Sequence, residues 1–289
     1  MSSERRTGSR GQRAVKGIAL ASAAALVLTG CSEQVQRGWL PGSRETTSNT
    51  AELTDLWVNS WIAALAVGLL TWGLMLWCMV AYRRRKGDSG YPRQLAYNIP
   101  LEIMYTIVPL VMVGVLFFYT DQVQRSVDSD EEEPSLVVDV RGKQWSWDFN
   151  YEYDGEQRYS VGVQGQLDGE SGAQEDLPTL YLPVDEPVEF QLNSRDVVHS
   201  FWIPAFLQKR DMVPGRTNEI HLTPQEVGSF DGKCAELCGE YHSEMLFNVE
   251  VVEEDEFREY LETLPEGHLG DEYDRNTNRH DDVTATEGD

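Results

Sequence analysis

Cys234-Ala235-Glu236-Leu237-Cys238-Gly239-Glu240-Tyr241-His242-Ser243-Glu244-Met245 runs directly into Leu246-Phe247-Asn248-Val249-Glu250-Val251. In the second part Phe247, Val249 and Val251 alternate with Asn248 and Glu250, the period-two pattern of a half-buried strand. The cysteine-bearing part must then be a loop that feeds this strand. The same alternation recurs upstream, where Val188, Phe190 and Leu192 interleave with Glu189, Gln191 and Asn193. Leu136–Val140 is apolar and β-branched, and Asp154-Gly155 and Pro214-Gly215 are turn pairs. Together these features predict a compact antiparallel sandwich or barrel.

The loop concentrates two thiols, an imidazole and a thioether within twelve residues. That soft set suits copper, particularly where Cu(I) must be held; zinc would take the cysteines and histidine but has little use for methionine. Three residues between the cysteines let a turn aim both sulfurs at one point, and His242 and Met245 follow on the return limb. One more ligand is needed. His199, in Asp196-Val197-Val198-His199-Ser200-Phe201-Trp202, is the best candidate, read as ending a strand at the same pole of the sandwich. A zinc site or a disulfide is the alternative for this cluster.

Charge is placed unevenly. The formal net charge is -24, and twelve of the 24 basic residues precede Asp121, against seven of the 48 acidic ones. The remainder is strongly anionic, which excludes nucleic acid as a partner and would steer a cationic protein; salt adaptation is the alternative. Leu56–Tyr82 carries no charge and is long enough to cross about 30 Å of hydrocarbon. Leu95–Thr120 is a second such run, interrupted by Glu102 and two prolines. Arg83-Arg84-Arg85-Lys86 and Arg93 lie between them, so the positive-inside rule puts this loop in the cytoplasm and both termini outside. Ahead of the spans, Arg5, Arg6, Arg10, Arg13 and Lys16 precede a short apolar stretch, as in an export signal. It ends in Leu28-Thr29-Gly30-Cys31, which resembles the lipobox of bacterial lipoproteins and implies lipidation of Cys31, against an ordinary buried cysteine. Gly162–Asp176 reads as a long loop, the chain beyond Glu253 as a short helix to Leu264, and Pro265–Asp289 as a disordered tail.

Cys-x-Glu-x-Cys-x3-His-x2-Met, preceded by a distant Asp-x-x-His, resembles the copper A motif of cytochrome c oxidase subunit II. Gln144-Trp145-Ser146-Trp147, His199–Pro204 and Pro214-Gly215-Arg216 match the family in the same order, and the resemblance covers about three quarters of the chain. The lipobox and Asp211-Met212-Val213-Pro214 are most similar to Gram-positive, actinobacterial members. The resemblance implies a two-helix transmembrane hairpin plus an all-β cupredoxin-type Greek-key barrel. The expected organisation is a lipoprotein signal (1–30), an extracytoplasmic segment (31–55), a first span (56–82), a cytoplasmic loop (83–94), a second span (95–120), a copper domain (121–264) and an acidic tail (265–289), in a bacterial cell membrane.

The resemblance also implies roles. Cys234 and Cys238 would bridge two copper ions, and His199 and His242 would each bind one. Met245 and the Glu236 carbonyl would be weak ligands, and the Glu236 side chain would reach a Mg²⁺ shared with subunit I. Trp145 would be the exposed entry point for electrons from a c-type cytochrome, or from a cytochrome c domain of a cytochrome bc complex. Asp196 matches an acidic docking position, whereas Asn150 stands where many relatives have an acid. Trp147 reads as core. Glu102, an ionisable group within a span, is a functional candidate by default; its segment resembles the one whose Glu marks the mouth of a proton channel into subunit I, unless it merely snorkels at the interface. The implied partners are oxidase subunits I and III and the membrane. The O₂ chemistry belongs to subunit I, so this chain would act as the enzyme's electron-entry subunit. A quinol oxidase subunit would lack the copper ligands, and a copper-storage lipoprotein would need neither Glu102 nor Trp145.

Overall fold

The computed structural model describes residues 32–270 apart from 86, 88, 92–93, 130–132 and 166–176. The expectations for the export signal, for Cys31, for most of the 162–176 loop and for 271–289 lie outside the described residues. After a single helical turn at Glu33–Gln36 come two long helices, α1 (Thr50–Ala81) and α2 (Ile99–Val127). Both are long and apolar enough to cross a bilayer, and neither apolar stretch is covered by the rest of the chain. They are shifted from the expected spans. α1 begins six residues before Leu56, on buried Thr50 and Thr54, and α2 starts at Ile99, where the Asn98 side chain caps it by accepting from the Leu101 N–H. The α2 C-terminus runs past Thr120 to Val127, and Arg210 of the β domain pairs with Asp128 just beyond it.

Ten strands follow among the described residues: β1 (Leu136–Lys143), β2 (Ser146–Tyr153), β3 (Glu156–Ser160), β4 (Thr179–Pro183), β5 (Val188–Ser194), β6 (His199–Ile203), β7 (Gln208–Met212), β8 (Asn218–Leu222), β9 (Gly228–Cys234) and β10 (Leu246–Val252). They form two five-stranded sheets, ordered β3-β2-β1-β5-β8 and β4-β10-β9-β6-β7. The chain passes repeatedly between the sheets, which gives the all-β architecture expected. The purely antiparallel expectation is corrected. β1 pairs parallel with β5 and β4 parallel with β10, because the partner strands are remote in sequence and are not joined as hairpins.

Alternation sets the core. Leu136, Val138 and Val140 of β1, Phe190 and Leu192 of β5, and Phe247, Val249 and Val251 of β10 are all buried. Trp147 is fully buried and makes edge contacts with Phe201 (5.8 Å) and Phe247 (5.1 Å), while Phe201 stacks on Phe247 at 5.1 Å. Each such aromatic pair adds roughly 0.5–1.5 kcal/mol beyond its burial. These rings form the floor beneath the cysteine loop.

Two peripheral segments close on the sandwich. Thr46 and Thr47 are buried, and the Ser48 N–H donates to the Thr223 carbonyl while the Gln225 N–H donates to Thr46, fastening the root of α1 to the β domain. At the other end α3 (Glu254–Thr263) is the short helix expected, burying Phe257 and Leu261. The tail expectation is corrected for its first residues. Leu269 is buried and its N–H donates to Asn150 Oδ1 at 2.7 Å, and His268 Nε2 lies 3.0 Å from Asp139. Asn150, unsuited to docking because it is itself buried, anchors this strap.

Candidate metal centre

The cysteine loop is pinned at both ends by the strands it connects. The Cys234 N–H donates to the Met245 carbonyl (3.0 Å) and the Ala235 N–H to Ser200 of β6 (3.0 Å). Between them the chain turns through a single helical turn at His242–Glu244. This geometry turns the donors inward. Cys234 Sγ lies 3.9 Å from Cys238 Sγ, 3.9 Å from His199 Nδ1 and 3.2 Å from the Glu236 carbonyl oxygen. Cys238 Sγ lies 3.6 Å from His242 Nδ1 and 3.7 Å from Met245 Sδ. His199, Cys234, Cys238 and Met245 are buried. His199 is the first residue of β6 and not the last of a strand, and it still reaches the loop.

Both cysteines are free thiols, and sulfurs 3.9 Å apart are well beyond the roughly 2.05 Å of a disulfide. The set fits copper chemically: two thiols and a thioether are soft donors, two imidazole nitrogens complete them, and a carbonyl oxygen stands at one end. A four-coordinate zinc site would use both thiolates and both imidazoles and leave the Met245 thioether without a purpose.

A second layer holds the donors. Asp196 accepts from His199 Nε2 at 2.7 Å, from the Val197 N–H at 2.7 Å and from the Gln144 N–H at 2.7 Å. Because Nε2 is engaged, Nδ1 is the nitrogen left for a metal. The Gln144 side-chain amide donates to the Cys238 carbonyl at 2.7 Å, so one residue ties the two halves of the site together. Gly142 lets His199 pack against β1: a Cβ there would stand 3.0 Å from the imidazole Cδ2. Neither Gln144 nor Gly142 was singled out from sequence, although Gln144 belongs to the motif that names Trp145. Burial disfavours the charged imidazole of His199, but Asp196 and Cys234 outweigh it and raise its pKa. Burial likewise opposes ionisation of Asp196, and His199 with the two backbone N–H groups overcomes it, so its pKa is lowered. The Cys238 thiol beside Cys234 lowers the Cys234 pKa to about 3. Cys238 is pushed up by the same partner and by burial. A thiol gives up its proton on binding a metal, so metal uptake here is coupled to the ionisation of this pair.

The other expected residues fall as follows. Trp145 is half-buried and not free-standing. Its ring meets Tyr241 edge-on at 4.8 Å, and a Cβ at Gly239, where φ is +130, would lie 3.1 Å from it. It thus lies against the cysteine loop, whereas Trp147 is core as expected. Glu236 is exposed, while its carbonyl oxygen lies 3.2 Å from Cys234 Sγ. The docking expectation for Asp196 is corrected. Its side chain is 0% exposed, so it orients His199 and presents no charge to a partner. Glu102 is not deep in a span: it occupies the first turn of α2 and accepts from the Asn98 N–H at 3.1 Å.

Residues 136–252 match the family model described as cytochrome c oxidase subunit II, periplasmic domain. The chain is 40% identical over 280 residues to a probable cytochrome c oxidase subunit 2 of Streptomyces coelicolor, covering 88% of this chain and 86% of that one. It is 33% identical over 306 residues to cytochrome c oxidase subunit 2 of Mycobacterium tuberculosis, covering 89% and 84%. A crystal structure of the periplasmic domain of the Bradyrhizobium japonicum oxidase subunit II is 32% identical, covers 46% of this chain and 94% of that one, and gives a TM-score of 0.41. At this identity and over this share of both chains, the chain belongs to the cytochrome c oxidase subunit II family.

Proposed function

We propose that this chain is the electron-entry subunit of an oxidase that reduces O₂ to water with coupled proton translocation. It would hold two copper ions and take electrons singly from a c-type cytochrome, or from a cytochrome c domain of a cytochrome bc complex. The observation that carries the reading is the convergence of six soft or neutral donors from two segments separated by more than thirty residues of chain. Cys234 and Cys238 would bridge the pair, His199 and His242 would bind through Nδ1, and Met245 and the Glu236 carbonyl would complete it. When bound, a thiolate-bridged copper pair supplies one-electron chemistry with little change in bond lengths.

The protein's own residues keep that site rigid and dry. Trp147 and Phe247 pack under it, Asp196 fixes the His199 ring, and Gln144 anchors the loop carbonyl. Trp145, lying across Gly239 and Tyr241, is the contact through which an electron would enter. The exposed Glu236 carboxylate would meet a Mg²⁺ whose remaining ligands come from subunit I. Glu102, at the N-terminal turn of α2, would stand at the cytoplasmic mouth of a proton path into subunit I. Subunits I and III would cover the apolar faces of α1 and α2. The copper domain (121–264) would lie outside the cell membrane, beyond spans near 56–82 and 95–120 and a basic cytoplasmic loop, with Cys31 lipidated after removal of residues 1–30.

The test is metal analysis and electron paramagnetic resonance of the full-length chain in detergent. Two coppers per chain and one unpaired electron shared by both nuclei are expected, and Cys234→Ser should abolish that signal. A wild-type chain that takes one zinc and no copper would overturn the assignment.

A further inference from the structure

The Trp145 ring rests on two residues of the cysteine loop. At Gly239, where φ is +130, a Cβ would stand 3.1 Å from both Nε1 and Cζ2 of the indole and 3.1 Å from Gln144 Nε2, so only glycine leaves the ring its seat. Tyr241 supplies the other contact. Its ring meets the indole edge-on, with centroids 4.8 Å apart and planes at 69°, an arrangement that the quadrupoles of two aromatic rings favour.

Each of these two residues adjoins a donor of the metal centre. Cys238 directly precedes Gly239 and His242 directly follows Tyr241, and Cys238 Sγ lies 3.6 Å from His242 Nδ1. One turn holds them, closed by the His242 N–H donating to the Gly239 carbonyl at 3.3 Å. The Tyr241 carbonyl accepts from the Glu244 N–H at 3.0 Å and so starts the helical turn that follows, but its side chain makes no capping bond there. Tyr241 is 37% exposed and lies outside the hydrophobic core, whose rim is Trp145. Neither core packing nor helix capping accounts for the tyrosine, whereas its contact with Trp145 does.

On the strand side, Trp145 follows Gln144, whose N–H donates to Asp196 and whose side-chain amide donates to the Cys238 carbonyl. Those bonds fix where the residue begins. The direction of its indole is set by side-chain torsions, and these are selected by what the ring touches.

We propose that Tyr241 is a positioning residue for electron entry, its ring holding the Trp145 indole against Gly239 on the Cys238 and His242 side of the centre. The inference rests on the reading of Trp145 as the entry contact of a copper site. The step it serves is plain electron transfer: a c-type cytochrome loses one electron, the centre gains it, and no bond or proton changes place. Displacing a reacting contact by about 1 Å costs up to about 100-fold in rate, so an indole released from this contact transfers more slowly although it is still present.

Stopped-flow electron transfer from reduced soluble cytochrome c to the copper-loaded full-length chain in detergent tests this, with copper analysis and paramagnetic resonance alongside. Tyr241→Ala should lower the saturated rate about tenfold, while the half-saturating concentration, the copper content and the paramagnetic signal keep their wild-type values. Tyr241→Phe retains the ring and should restore the rate. Tyr241→Ala in a Trp145→Ala background should cost nothing more, because a residue that acts through another has no separate effect once that partner is gone. A multiplied loss in the double variant would make Tyr241 an independent contact and overturn the inference. An unchanged rate in Tyr241→Ala would also overturn it, as would a changed paramagnetic signal, which would assign the tyrosine to His242 instead. If Trp145→Ala alone leaves the rate unchanged, the entry reading fails and takes this inference with it. If Trp145→Ala slows transfer and Tyr241→Ala does not, only the positioning role fails.

Discussion

Asp196→Asn is the substitution that most directly tests how the second layer works. The carboxylate accepts three short bonds, from His199 Nε2, the Val197 N–H and the Gln144 N–H, all at 2.7 Å. Asn keeps one acceptor, loses the charge and must turn an NH₂ toward a donor. Each charge-assisted bond contributes about 1.5–3 kcal/mol, so the metal-free protein should lose about 2–3 kcal/mol. The loss should depend on pH. Asp196 has a lowered pKa, so its contribution is complete above the ordinary value of 3.8 and fades as pH falls through the folded value. His199 has a raised pKa, so its contribution is complete below 6.5 and fades as pH rises through the folded value. The pair is therefore fully formed between these two values. Denaturant unfolding of the copper-free chain should show a larger loss at pH 5 than at pH 9. Copper affinity should fall about 10–100-fold, as for other groups that orient a ligating histidine. Equal destabilisation at both pH values together with wild-type copper affinity would refute the reasoning and leave Asp196 a mere turn residue.

Two further substitutions probe neighbouring contacts. Gly142→Ala would push a methyl against the imidazole, 3.0 Å from Cδ2, costing about 1–3 kcal/mol; copper titration should show weakened binding, and unchanged binding would show that β1 yields without moving His199. Trp145→Ala should slow the saturated rate of electron transfer from cytochrome c at least tenfold with copper content intact, at every ionic strength. Stopped-flow measurements check it. Neutralising exposed acids should instead lower only the association rate and flatten its salt dependence, because their attraction is screened beyond about 8 Å.

Much of the site was legible because its donors are clustered in sequence. Cys234, Cys238, His242 and Met245 lie on one loop, and a soft donor set at that spacing admits few chemistries. The apolar runs were legible because a bilayer-length stretch needs no partner to be recognised. Helix ends were not: Asn98 caps α2 and Glu102 completes the turn, so the polar group that interrupts the apolar run begins the helix.

Read alone, the sequence determines the soft ligand set, two apolar helices, the β alternation and the family, since each is carried by residue type and local period. Only the tertiary structure decides which charges are buried. Asp196, Lys143, Asp148 and Arg195 carry the residue types of a solvated surface, yet all four side chains are enclosed. Their enclosure comes from strands and a strap remote in sequence: β1 lies on β5, and residues 268–270 fold back on Asp139, Asn150 and Arg195. A carboxylate's role depends on whether water or a buried donor faces it, and that is a property of the packed chain, not of the residue.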